Sequence, residues 1–176
     1  KVNLLPEEIG QKKEIGRTAA DMKKELGDRC AYPDLLPKMA QFEVALLDFM
    51  EKNLGASQYG VFANKCWPAF EADFGFVPCY VNSRLAGRGI PAACEVDLYG
   101  ALSEYIAQLA TLQPATLLDI NNSCPDDVLP KKANLKGAER EDLFMGFHCG
   151  NTCSSCMKTC SLKYQLIMNR LMEGGK

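Results

Sequence analysis

The chain has 176 residues, 47% of them apolar, and a formal net charge of -2 at pH 7. That is enough for one domain with a real core, or one domain and part of a second, and it excludes a disordered polymer. The charge balance offers nothing to nucleic acid or an anionic membrane, and no apolar run approaches the ~20 residues of a bilayer span. The first residues, Lys1 to Glu8, lack both a signal-peptide organisation and an initiating methionine, so the chain is expected to begin after its natural start. Nine cysteines, an odd number, several of them beside apolar residues (Cys66, Cys79, Cys94), fit a reducing, cytoplasmic setting better than a disulfide framework.

The spacing predicts a helix over 7–27, with Ile9, Ile15 and Met22 among charged residues and Gly27 as a stop signal. A second helix runs from Asp34 to about Leu54, its apolar residues Met39, Phe42, Leu46, Leu47, Met50 and Leu54 recurring at three and four. Tyr59–Ala63 then reads as a short buried strand and Phe76–Val81 as a weaker one, interrupted by Pro78. Gly87 to Pro91 is a loop. Ala92 to Thr111 is a strong helix with Leu98, Leu102, Tyr105, Ile106 and Leu109 on one face. Ala115–Ile120 is another buried strand, 121–140 a polar loop with a solvated basic run at Lys131, Lys132 and Lys136, and Leu143–Phe147 a third apolar strand. Residues 161–173 are expected to be helical. The alternation argues an α/β fold: a three-layer domain with a mostly parallel sheet over 1–114, followed by the start of a second, incomplete domain over 115–176.

Three ionisable residues fall where such a fold places ligands, beyond the carboxyl ends of strands. Asp119 closes one strand. His148, the chain's one histidine, closes another. Glu95 lies in the first turn of the helix after Pro91. Two carboxylates and an imidazole suit a hard or borderline divalent cation, Mn²⁺ or Mg²⁺. Each also has an ordinary structural explanation: the helix dipole favours a Glu there, Asp before Asn121–Asn122 is common turn chemistry, and a lone His is more often structural than a ligand.

A second constellation competes. Cys149, Cys153, Cys156 and Cys160 form C-x₃-C-x₂-C-x₃-C, a spacing that could hold an iron–sulfur cluster or Zn²⁺. On a helix they would share one face, which is equally a buried stripe of small residues. There is no P-loop and no G-x-G-x-x-G. Ser83 has no neighbouring His with which to build a nucleophile, and Arg84 and Arg88 could contact an anionic group.

The segments Lys65-Cys66-Trp67-Pro68, Phe74-Gly75, Pro78-Cys79, Gly89-Ile90-Pro91 and Ala93-Cys94-Glu95 with Asp97 resemble the central region of the L-fucose/L-arabinose isomerase family. Leu117-Leu118-Asp119 with Asn121-Asn122, and Phe147-His148-Cys149-Gly150-Asn151, resemble its second ligand segment and its histidine segment, in the same order. The resemblance covers roughly residues 55–152. It implies a metal-dependent aldose–ketose isomerase, homo-oligomeric in a longer parent protein. Glu95, Asp119 and His148 would be metal ligands, and Glu95 and Asp119 would double as acid and base for proton transfer through an enediol. Trp67 and Asn122 would contact the monosaccharide. For Trp67, a core position under a loop is an equal reading.

Overall fold

The computed structural model describes residues 9–66, 68–122, 124, 135–148 and 151–163. Helix α1 spans Ile9–Leu26 and ends where Gly27 turns the backbone into the left-handed region at φ 53°. A one-turn 3₁₀ segment, Pro33–Leu35, leads into α2, Leu36–Asn53, with Pro37 inside its first turn, where a missing N–H costs nothing. The two helices pack against each other, and α4, Cys79–Gly87, packs on α2.

These three helices hold the core. Met22, Leu26, Val81 and Leu85 are fully enclosed, with Met39, Phe42, Phe76 and Tyr80 around them. Phe42, Phe70, Phe74 and Phe76 make edge-on and tilted ring contacts at centroid distances of 4.5–6.4 Å. Phe70 and Phe74 come from α3, Ala69–Phe74, which Gly75 terminates at φ 75°. The apolar period of α2 is therefore read correctly from sequence at Met39 and Phe42, with Leu46 and Leu47 partly buried against the same cluster.

The core also contains charge. Glu43 of α2 is fully buried and takes Arg84 Nε at 2.7 Å and Arg88 Nη1 at 3.0 Å. Arg84 also reaches Glu25 of α1, which accepts hydrogen bonds from Tyr80 Oη and Ser154 Oγ, each at 2.9 Å. Burial pushes the Glu25 carboxyl up, but the bonds from Tyr80, Ser154 and Arg84, with the Arg84 charge, outweigh it and hold the group below the usual carboxylate range.

Strand content is small. Strand β1, Phe62–Ala63, pairs in parallel with β2, Ala92–Ala93, in the register Phe62 with Ala92 and Ala63 with Ala93. Strand β3, Asp119–Asn121, pairs antiparallel with β4, Met145–Phe147. The described residues thus form a mixed structure, largely helical, with two two-stranded sheets, one parallel and one antiparallel.

Four expectations change. Phe76–Val81 is not a strand: Pro78 stands at the N-cap of α4, with a φ of -77° that suits helix entry. The helix after Pro91 begins at Leu98, because Ala92–Ala93 pairs with β1 and Asp97 caps α5, Leu98–Thr111, accepting the Gly100 N–H at 2.8 Å. The face of α5 that packs is Gly100, Ala101 and Glu104. Leu98, Leu102, Ile106 and Leu109 are exposed, as is every residue of β3. Finally, Leu162 is bridged to Cys30, exchanging backbone hydrogen bonds with Arg29 and Ala31. The remainder of the expected helix, 164–173, lies outside the described residues.

Candidate functional site

The parallel pair β1–β2 ends in two loops that are stitched together. Asn64 N–H donates to Ala93 O at 3.0 Å, and Val96 N–H donates to Asn64 O at 3.1 Å. Asn64 and the buried Asn82 of α4 exchange two side-chain amide hydrogen bonds, at 2.6 and 3.1 Å. From this base the chain turns through Cys94–Asp97, with Asp97 N–H on Cys94 O at 3.1 Å.

Glu95 and Val96 both take positive φ here, 60° and 58°. Neither is glycine, and Val is β-branched, so its Cβ is crowded in this region. Two consecutive residues in that state cost of order 1–3 kcal/mol each and persist only where the surroundings enforce them, a pattern that concentrates at active sites. The Glu95 carboxylate is exposed, just beyond the carboxyl end of a parallel strand. It stands in the turn before α5, not in the first turn of the helix.

Asp119 opens β3, where it was expected to close a strand, and His148 directly follows β4. Asp119 is the register partner of Phe147, so it lies beside the residue that precedes His148. Asp119 is exposed and His148 half-buried. Behind them, Glu104 of α5 is buried and accepts the Leu117 N–H at 2.9 Å, two residues before Asp119. Burial pushes the Glu104 carboxyl up. The Leu117 hydrogen bond and the facing His148 oppose that rise, and Asp97 adds to it. Asp97 and Glu104 thus stand between the turn of Glu95 and the strand of Asp119; sequence reading noted Asp97 only as part of a resembling segment and missed Glu104. The available signal was Gly100-Ala101 on α5, small residues that mark a close-packed face and place Glu104 on it.

The donor chemistry of Glu95, Asp119 and His148 fits a hard or borderline divalent cation. Among the described residues, however, no three His, Cys, Asp or Glu side chains gather closely enough to hold a metal ion. Asn122 is exposed directly after β3. Trp67 lies outside the described residues, as does Cys149. The other three cysteines of the C-terminal motif do not share a helical face. Buried Cys153 contacts Ser155 Oγ at 3.0 Å, exposed Cys156 faces Pro114 O at 3.9 Å, and burial, followed by the Glu25 charge, pushes the Cys160 thiol up. They lie along an irregular segment around a 3₁₀ turn, Ser154–Cys156. Arg84 and Arg88 are committed to Glu25 and Glu43, which accounts for both cations without an anionic ligand. An open groove of about 430 Å³, lined by residues 57–61 and Tyr105, lies before β1, whereas Glu95 lies after β2.

Comparison with known proteins gives partial similarity to sulfoquinovose isomerases. The chain is 30% identical over 73 residues to that of Priestia aryabhattai, covering 42% of this chain and 16% of the relative. It is 32% identical over 100 residues to that of Clostridium sp. (strain MSTE9), covering 57% and 19%. With the enzyme of Alkalicoccus urumqiensis it shares 37% over 70 residues, covering 39% and 15%. The matched part thus spans less than a fifth of each of these relatives. No family model and no solved structure matches. No helix among the described residues is long and apolar enough to cross a membrane.

Proposed function

We propose that this chain is part of a sugar isomerase of the aldose–ketose type and carries the carboxylates of its active site. The observation that supports this most directly is the strained turn at Glu95, set at the carboxyl end of a parallel strand in a chain whose relatives are named as sugar isomerases. In this reading Glu95, Asp119 and His148 would hold a divalent cation, Mn²⁺ or Mg²⁺, which when bound supplies the positive charge that polarises a sugar carbonyl. Glu95 and Asp119 remove a proton from one carbon of the aldose and return it to its neighbour, through an enediol. His148 fixes one side of the site. Asn122, next to β3, is placed to hydrogen-bond a sugar hydroxyl, and Trp67 supplies an apolar wall.

The ligand set is completed by parts of the protein beyond the described residues, or by a second subunit of a homo-oligomer. Residues 1–114 and 115–176 then belong to two domains, with the site at their junction. The substrate class is a monosaccharide. The relatives' name brings in a sulfonated aldose as the first candidate, ahead of fucose-like or arabinose-like sugars. A cytoplasmic location accords with the nine cysteines.

The test is proton exchange. The natural full-length gene product, incubated with Mn²⁺ and each aldose in D₂O, is expected to wash deuterium into C2 of one sugar. Chelation should stop the exchange, and Glu95→Gln should lower kcat at least about 100-fold, within the range general acid–base groups contribute. Exchange that survives both chelation and Glu95→Gln would sink the reading.

A further inference from the structure

Cys66 and Cys94 come from the two loops that leave β1 and β2, and they are 28 residues apart in sequence. The Cys94 thiol donates to Cys66 Sγ at 3.1 Å. Both side chains are buried, at 9% and 6% exposure. A disulfide needs about 2.05 Å between sulfurs, so closure takes about 1 Å of movement. Elsewhere, Cys153 faces Ser155 and Cys156 faces a carbonyl.

We propose that Cys66 and Cys94 form a dithiol site that hydrogen peroxide closes to a disulfide and a thiol reductant reopens. One thiolate attacks a peroxide oxygen, giving a sulfenic acid and releasing water. The second thiol displaces a second water from the sulfenic sulfur, and the S–S bond forms. Two thiols lose two electrons and two protons in all, and one peroxide becomes two waters. The cross-link ties the exit of β1 to that of β2. Cys94 O is also the acceptor for Asp97 N–H, so the tether is fastened to the base of the turn that carries Glu95. The site needs only the two thiols, and its test is independent of the isomerase reading.

The test is a peptide map of the chain as it stands. The protein is treated with stoichiometric peroxide, denatured, alkylated, and cut after both basic and acidic residues. Cleavage after Lys65 and Glu71 separates Cys66 from Cys79, and cleavage after Arg88 and Glu95 separates Cys94 from Cys124. The expected product is peptide 66–71 joined to peptide 89–95, two hydrogens lighter than their sum. Dithiothreitol before alkylation should abolish it and return two alkylated thiols. Recovery of Cys66 and Cys94 as free thiols or sulfinic acids, or joined to other cysteines, overturns the proposal. Cys66→Ser serves as a control that leaves Cys94 alkylated.

Discussion

The three-helix block of α1, α2 and α4 and the region of α5 with β3 and β4 solve burial in opposite ways. In the first, Met22, Leu26, Val81 and Leu85 have no exposed surface, and even a carboxylate, Glu43, is enclosed because two arginines meet it. In the second, Leu98 is 69% exposed and Ile106 58%, while the enclosed face of α5 is made of Gly100, Ala101 and Glu104. Asp119, Asn122 and His148 lie in the second region, and Glu95 in the turn that leads into it. Apolar burial at roughly 25 cal/mol per Å² consolidates the first block, whereas the second relies on a few directed contacts: the Asp97 cap, the Glu104 bond to Leu117, and the pairing of β3 with β4. Single changes should therefore act through different physics on the two sides.

The largest effect is expected at Glu43→Ala. It strips Arg84, whose side chain is 15% exposed, of its fully buried partner and leaves it Glu25 alone, and breaking a buried pair from one side costs about 3 kcal/mol or more. Urea unfolding should show the loss in full. Asp48→Ala removes the exposed pair with Lys52 on the same helix and should change stability by no more than about 0.5 kcal/mol. Similar losses from both would erase the distinction between enclosed and solvated charge in this block.

The matching change on the other side is Gly100→Ala. A Cβ at Gly100 would collide with the Asp97 carboxylate and Leu117 Cδ2. Alanine normally favours a helix by about 1 kcal/mol over glycine. Here overpacking and the displaced cap should reverse the sign, for a net loss of about 2 kcal/mol. The amide of Leu117, held by Glu104, should exchange faster with solvent. A stabilised Gly100→Ala protein would mean that α5 does not approach the strand of Asp119 as closely as the structure has it.

Tyr80→Phe removes one donor from Glu25 while keeping the ring in the core. Hydrogen bonds to charged groups are worth about 1.5 kcal/mol or more. Because the folded Glu25 carboxyl is held below its ordinary 4.5, its contribution is fully present above that pH. It is lost as pH falls through the lowered value. The two proteins should thus differ most near neutral pH and converge in acid. A difference that is constant with pH would show that the hydroxyl does not act through Glu25.

How much of this was legible in the sequence depends on range. The face of α2 could be read from Met39 and Phe42, because three–four spacing is a local property. The helix at Cys79–Gly87 was readable in principle, since Val81 and Leu85 are one turn apart, but 76–81 reads as a strand that Pro78 interrupts, where Pro78 actually marks a helix start. Glu43 could not be read, because its burial depends on Arg84, 41 residues away. On α5 the leucine stripe was plain, yet the buried side proved to be the one with small residues and Glu104. His148 does follow a strand, but Asp119, read as closing one, opens β3 and pairs with Phe147, because the backbone before it forms no ladder. The turn at Glu95 was hidden, since nothing local in Cys-Glu-Val-Asp announces positive φ; the hydrogen bonds of Asn64 and Cys94 enforce it.

That turn gives the smallest expected change in stability. Val96 is half exposed, so removing its side chain forfeits little packing. A β-branched residue at a φ of 58° carries about 2 kcal/mol of strain. Glycine relieves it and adds back about 1 kcal/mol through the freedom of its unfolded chain. Val96→Gly should therefore stabilise the protein by about 1 kcal/mol, measured by urea unfolding. Relief of strain should also loosen the turn, with faster amide exchange across residues 94–97 and, on the proposed function, lower turnover in the full-length protein. A gain in stability with turnover unchanged would make the strained backbone incidental to Glu95. A loss of stability would mean that the Val96 side chain holds the turn by packing, and the contrast between a consolidated helical block and a site held under strain would fail at its central residue.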